Sequence, residues 1–521
     1  MRARDGARAP KHTRDCADAR RDARASSRRA RLVPALAFLC VIAAPQTAVA
    51  QYPAAEAYDA KYVSPTGADR TYGAAVAADD GRVAALSGLG SVSVTRFASA
   101  DATSADATSA VATLELDDDD VSATDLEDVV GASPRHLAMR DGLVVLGAPG
   151  RGGGTGGARV WRLDTSAGAN ANAWTGPVDL ASSDGARNHM GVSAATAGGA
   201  AVALGAPSDD EGKGAVYVFL DSDGDATFEL PPLKVTAPSP RAGDRFGASV
   251  AITHGVRGPG NGWLAAAAPG ADDGAGAVFC FARVDLTGGS FGYAHVQNLT
   301  SAPKTYGSYI LHAGFGATVA LTGRFLLATR APPETDAGFG ESVGDASVFL
   351  LARTSAALFS VNASSEDTSA VVATEEGRWV LDAVLVPGST PSDEPDECSF
   401  GAGALDGESV VLGVVGRASA DGLGGSVSAF RRVTDQTNDA LKKWAHQSRR
   451  TSADVLGVSP VLGFGRAVAI DGAAAVVAAA GAFNATEAAE DFHEGSGVLT
   501  RFRKENDPPA SPPPPPSPPP P

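Results

Sequence analysis

One short phrase recurs seven times along this chain of 521 residues. A repeat of that size constrains the fold before any single residue is considered. Each copy has an aromatic-Gly or apolar-Gly opening, a Val/Ala strand, a tight turn, a second apolar strand, and Gly-Ala-Pro or a relic of it. The plainest copies are Phe246-Gly247-Ala248-Ser249-Val250-Ala251 and Val202-Ala203-Leu204-Gly205-Ala206-Pro207. The opening glycines are Gly73, Gly131, Gly191, Gly247, Gly316, Gly401 and Gly465, spaced 58, 60, 56, 69, 85 and 64 residues apart. Units of this kind bury their apolar faces only against each other.

The turns define the strands. Asp80-Gly81, Asp141-Gly142, Asp406-Gly407 and Asp471-Gly472 lie between apolar runs. Asp-Gly there predicts a hairpin of type I′, which needs positive φ at both central residues. After the second strand and a Gly/Asp-rich loop comes a third strand that alternates cleanly, as in Gly214-Ala215-Val216-Tyr217-Val218-Phe219. A fourth often carries tryptophan, namely Trp174, Trp379 or Trp444. Four short antiparallel strands are the content of one propeller blade. The seventh repeat stops after its third strand, Gly497 to Phe502, while the stretch from Ala60 to Arg70 reads like a fourth strand and exit loop. We therefore expect the N-terminal segment to close the ring, which removes exposed sheet edges.

Taken together, the Phe-Gly, Gly-Ala-Pro and Gly-x-Val-Tyr-Val-Phe elements resemble the FG-GAP repeats of integrin α subunits over residues 57–505. The resemblance implies an all-β, seven-bladed propeller of four-stranded antiparallel blades, followed by a disordered proline-rich tail. It implies ligand binding and adhesion, with no one reaction. Repeats one, five and six carry only relics of Gly-Ala-Pro: Ser87-Gly88, Arg330-Ala331-Pro332 and Gly413-Val414-Val415. Calcium-binding members of the family have an Asp-rich loop between the first and second strands. Here that joint is a two-residue turn, as at Ile470-Asp471-Gly472-Ala473. One carboxylate does not make a calcium cage. The expectation is no cofactor and no metal, with calcium left open only by acidic loops elsewhere.

Residues 1–50 read as a targeting segment: an apolar stretch from Leu32 to Ala50 follows Arg28-Arg29-Ala30-Arg31 and ends in Ala48-Val49-Ala50. Secretion or display at the cell surface follows. That segment holds 11 basic and 4 acidic residues, so without it the net charge falls from −17 to −24. An acidic body repels nucleic acid. Three sequons, at Asn298, Asn362 and Asn484, are N-glycosylation candidates. Past the leader only Cys280 and Cys398 remain, in blades that are not neighbours, and both are expected as free thiols. Residues 506–521 are a proline-rich rod or linker in polyproline II. The abrupt end in proline predicts attachment to a cell wall or membrane through a region beyond Pro521.

No catalytic constellation stands out. The histidines are scattered, and there is no Gly-x-Ser-x-Gly elbow or phosphate-cradling loop. The loops between second and third strands are acidic: Asp209, Asp210 and Glu211 in repeat three, Asp272 and Asp273 in repeat four, and the stretches 334–341 and 487–494. Gathered on one rim, the five named carboxylates are candidate ligands for a cationic group or ion; solvated turns are the plainer reading. The function expected is a non-enzymatic extracellular ligand-binding or adhesion propeller presented on a proline-rich stalk, its partner a protein or glycan. The alternatives are a glycan-binding or structural cell-wall glycoprotein and an accessory domain of a larger secreted enzyme truncated after Pro521.

Overall fold

The computed structural model describes residues 58–63, 72–87, 91–96, 111–115, 136–164, 173–181, 188–221, 227–253, 262–285, 291–301, 304–306, 309–311, 314–330, 345–353, 377–385, 398–416, 426–435, 438–451, 464–472, 474–479 and 498–503. All lie in one compact unit. The sequons at Asn362 and Asn484, the acidic stretches 334–341 and 487–494, the leader and the proline-rich tail fall outside the described residues.

The architecture is an all-β propeller of four-stranded antiparallel blades. Six blades are each made of four consecutive strands, spanning 76–115, 137–180, 193–235, 249–299, 315–385 and 398–451. We number them one to six. A further four-stranded sheet, the composite blade, joins strands Phe464–Asp471, Ala474–Ala479 and Val498–Arg503 to the strand Tyr58–Val63. Tyr62 pairs with Leu499 and Val63 with Val498. The innermost strand of the composite blade packs against those of blades one and six, so both ends of the chain meet in one sheet. A two-stranded hairpin, Lys304–Tyr306 with Tyr309–Leu311, lies between blades four and five in sequence.

The apolar core is a series of interfaces between neighbouring blades. Val216 and Val218 of blade three share a buried cluster with Val250, Leu264 and Phe281 of blade four. Blades four and five meet through Phe315, Leu326 and the edge-to-face pair Trp263 and Trp379, with ring centroids 5.3 Å apart. Phe246, fully buried, meets Phe279 and Phe281 edge-on at 5.5 and 6.0 Å. Burying such a ring contributes about 2–3 kcal/mol. Most of the remaining core is Ala, Val and Leu, small enough to let sheets approach closely, with larger rings such as Phe219, Phe325 and Phe464 between them.

Two readings of the repeat need correction. The pairings put Thr329 opposite Ala346 and Ala346 opposite Leu385, as Gly205 faces Val216 and Val216 faces Val235. Thr329, not Arg330, therefore holds the place of the Gly-Ala-Pro glycine in blade five. The hydroxyl of Thr329 accepts the Thr318 N–H at 2.9 Å, which ties the threonine into the local ladder. The second correction concerns turns. Asp80-Gly81 and Asp141-Gly142 have positive φ at both residues, as type I′ requires. In blade six Asp406 instead pairs with Ser409, and in the composite blade Asp471 pairs with Ala474. Gly407 and Gly472 thus open their loops with positive φ, which fits type II′.

Candidate functional site

In blades two, three and four the loop between second and third strands is one left-handed turn. Its positive-φ residues are Gly152, Gly153 and Gly154, then Asp210, Glu211 and Gly212, then Asp272, Asp273 and Gly274. Left-handed backbone is least strained for glycine and tolerable for aspartate. The same hydrogen bonds close each turn: Gly156 N–H to Arg151 O, Gly214 N–H to Asp209 O and Gly276 N–H to Ala271 O, at 3.0, 2.9 and 2.9 Å. Each turn also clasps the next blade. Gly154 O accepts His189 N–H at 3.0 Å, Gly212 O accepts Arg245 N–H at 2.8 Å, and Gly274 O accepts Gly314 N–H at 3.0 Å.

The five predicted acidic residues divide. Asp209 is buried and its carboxylate is spent inside the fold. It holds the Lys234 ammonium at 2.5 Å and accepts from the Tyr217 hydroxyl at 3.5 Å. Asn188 in turn donates to that hydroxyl at 3.0 Å. Burial works against the Lys234 charge, but the bonds to Asp209 and Tyr217 outweigh it and raise its pKa. Asp210, exposed, pairs with Lys213 at 2.8 Å. Asp272 and Asp273 are exposed on the equivalent turn of blade four, and Glu211 is exposed in blade three.

Between the two acidic turns runs the segment that links blade three to blade four. It is bonded on one side at Gly212 O and on the other by Gly270 N–H to Asp244 O at 3.1 Å. It carries the exposed cations Arg241 and Arg245. The rim is therefore charge-alternating, not uniformly acidic: acids on the turns, cations on the linking segment and at Lys213. The sequence reading weighed each loop by itself and missed this interleaving. The signal was Arg241 to Arg245, just ahead of Phe246-Gly247. Among the described residues no three His, Cys, Asp or Glu side chains converge to hold a metal ion.

A charge-reversed counterpart of the Asp209 network lies in blade two. Asp179 is paired with Arg159 across the sheet, as Lys234 is with Tyr217. Asp179 bonds Arg151 at 2.7 Å and Arg159 at 3.0 Å. Desolvation opposes the Asp179 charge, yet the two arginines prevail and lower its pKa. Acid and base have exchanged places between equivalent sites of neighbouring blades.

The opposite face is organised by the hairpins between first and second strands. Asp406 accepts the N–H of Gly472 at 2.6 Å, Asp471 that of Gly81 at 2.7 Å, and Asp79 that of Asp141 at 2.5 Å. Each aspartate of this series precedes its own loop and caps the loop of the next blade. The series runs through the seam where the ring closes. Burial, with the charges of Asp141 and Asp471, pushes Asp79 up to about 6. The sequence reading used Asp406 and Asp471 only as turn markers and did not single out Asp79.

Other reactive groups are spent on structure. Cys280 is a buried free thiol, and burial raises its pKa. His136 is buried and burial pushes it down to about 4. Asn298 is exposed on the outer strand of blade four, with its side-chain oxygen 2.6 Å from His295 Nε2.

No protein-family model and no curated protein matches the sequence. Solved structures do match in shape. One is a protein of Bacteroides uniformis provisionally named a 6-phosphogluconolactonase, at 12% identity and TM-score 0.37, covering 73% of this chain and 85% of that one. Another, similarly named, is from Bacteroides fragilis, at 13% identity and TM-score 0.36, covering 72% and 82%. Likeness this distant carries no argument about activity.

Proposed function

We propose that this chain is a non-catalytic, extracellular ligand-binding propeller of the FG-GAP kind, whose binding face is the rim formed by the left-handed turns and the linking segments. One observation carries the reading. Successive turns and linking segments form a hydrogen-bonded belt that fixes exposed side chains of alternating charge on rigid backbone. Charges held this way cost little to order on binding and favour a partner of complementary pattern. The ligand class is a protein or glycan surface carrying both signs of charge. Commitment of His136, Asp209 and Cys280 to the interior supports a binding role over a catalytic one. Adhesion, secretion by the leader and glycosylation at Asn298 belong to the same proposal.

The test is a screen of the secreted chain against a glycan array and immobilised extracellular proteins. Any ligand found is then measured against the variant Asp210→Asn, Glu211→Gln, Arg245→Gln, Asp272→Asn, Asp273→Asn, which removes the charges and suits the left-handed backbone better than alanine. Loss of binding at unchanged thermal midpoint supports the rim. Undiminished binding by the variant removes the rim from the reading. Intact-mass analysis of the same secreted material is expected to find a glycan on Asn298.

A further inference from the structure

The innermost strand of the composite blade begins Phe464-Gly465-Arg466-Ala467. The residue after the opening glycine is Ala74, Ala248, Ala317 and Ala402 in blades one, four, five and six, and Val192 in blade three. Arg466 therefore sets a long cation where the matching strands carry small apolar side chains. Innermost strands border the central axis of a propeller. The position lies at the end of the strand where blades are linked, on the same face as the rim turns but closer to the axis.

Arg466 is half-buried. Burial lowers its pKa, and among the described residues no charged neighbour acts on it. Among the described residues it makes no hydrogen bond and no ion pair. Its nitrogens still touch solvent, because none is among the sealed, unbonded atoms. Other shielded arginines behave differently. Arg82, Arg159, Arg162 and Arg432 each hold a carboxylate, from Asp80, Asp179, Asp221 and Asp382, at 2.9 to 3.2 Å. Arg330 faces Asp345 at 3.7 Å. The chain carries 60 acidic residues, so partners are not scarce. A partly desolvated guanidinium with no counter-charge is unfavourable unless something supplies one.

We propose that Arg466 anchors an anion-binding site at the axial end of the blade-linking face. Its planar fork would take two oxygens of a carboxylate or sulfate group. The site is separate from the rim turns of blades three and four and does not depend on them.

Thermal unfolding of the full chain tests this, comparing wild type with Arg466→Met and Arg466→Lys in chloride and in 20 mM sodium sulfate, the concentration set at roughly the level a weak anion site needs. In chloride, Arg466→Met should unfold no lower than wild type, because it keeps the buried stem and removes the unpaired charge. Sulfate raises every midpoint through its general exclusion from protein surface. Wild type should gain about 1–2 °C more than Arg466→Met, with Arg466→Lys between them. Calorimetric titration with sulfate should saturate at one site in wild type and give no saturable heat in Arg466→Met. Equal sulfate shifts in wild type and Arg466→Met overturn the proposal. So does an Arg466→Met variant that fails to fold or unfolds several degrees lower, since either makes the arginine structural. A uronate trisaccharide separates the sources of the anion. If it binds more tightly than acetate in an Arg466-dependent way, the anion belongs to an acidic glycan; if acetate binds equally well, the site takes small free anions.

Discussion

Gly205 of blade three lies directly against the carbonyl of Gly247, which opens blade four. A Cβ on Gly205 would stand 1.9 Å from that oxygen and 2.2 Å from the Ser193 hydroxyl, itself bonded to the same carbonyl at 2.7 Å. Gly147 meets Gly191 and Gly413 meets Gly465 in the same way, at 2.0 and 1.9 Å. The glycine of Gly-Ala-Pro is thus an inter-blade contact point more than a turn residue. Gly205→Ala should cost more than about 3 kcal/mol, because backbone must move to admit the methyl. Gly274→Ala is the control: its φ is +88° and nothing lies within 4 Å, so about 1–2 kcal/mol of local strain is expected. Urea unfolding midpoints measure both. Equal losses would mean that the contact does not set the spacing of blades.

The Asp209 and Lys234 pair gives a second prediction. Asp209→Ala should destabilise by about 1–3 kcal/mol, since it strands a partly buried ammonium and the Tyr217 hydroxyl. Lys234→Ala alone should do likewise, and the double variant should lose less than the sum by at least about 0.5 kcal/mol. Asp210→Ala, on the exposed neighbour, should fall within about 0.5 kcal/mol of wild type. A double-mutant cycle on unfolding free energies decides it. Strict additivity would deny the network.

Two shielded groups, one buried and one half-buried, shape the pH dependence in opposite directions. His136 has a folded pKa of about 4 against an ordinary 6.5. The unfolded chain takes up its proton first, so this stability is full above 6.5 and is lost as pH falls toward 4. The full loss is about 3 kcal/mol. Asp79 has a folded pKa of about 6 against 3.8. The folded chain takes up that proton first, so its contribution falls as pH rises from 3.8 through 6. The side chain is partly exposed, which reduces the effect to about 1 kcal/mol. His136→Leu should flatten the acid limb of a plot of thermal midpoint against pH. Asp79→Asn should stabilise at pH 7.5, with the gain vanishing near pH 4. A gain that persists at pH 4 would place its origin outside the carboxyl titration.

Much of the fold was legible because the repeat writes it in short-range chemistry. Phe246-Gly247, Asp141-Gly142 and the alternation from Ala215 to Phe219 each encode a local conformation, and the order of such pieces encodes a blade. The N-terminal strand was legible too, since Tyr58–Val63 completes a sheet whose last repeat lacks one. What lay beyond reach was the partner of each side chain. Asp209 and Asp210 are adjacent and chemically alike, yet one is buried against Lys234, 25 positions on, and the other faces solvent. Asp471 caps Gly81 across the closing seam, a separation no local pattern expresses. The place of Thr329 was missed for a related reason: Arg330-Ala331-Pro332 looks more like the motif, while strand register obeys the burial of Ala328 and Val348.

That register shift has a steric counterpart in the next blade. Thr329 places a methyl where blades two, three and six have glycine and blade four has alanine, and Gly403 of blade six leaves the room for it. A Cβ on Gly403 would lie 2.8 Å from Thr329 Cγ2, with Leu327 Cδ2 at 3.1 Å and Leu412 Cδ2 at 3.4 Å. The small residue has moved across the interface from blade five to blade six. Gly403→Ala should therefore destabilise by about 1–3 kcal/mol through overpacking. Thr329→Ser removes the offending methyl but keeps the hydroxyl that bonds Thr318. Adding it to Gly403→Ala should recover at least about 0.5 kcal/mol, though alone it should be mildly destabilising. If Thr329→Ser lowers the unfolding midpoint equally in both backgrounds, the two residues do not compensate, and the fit between blades five and six has another origin.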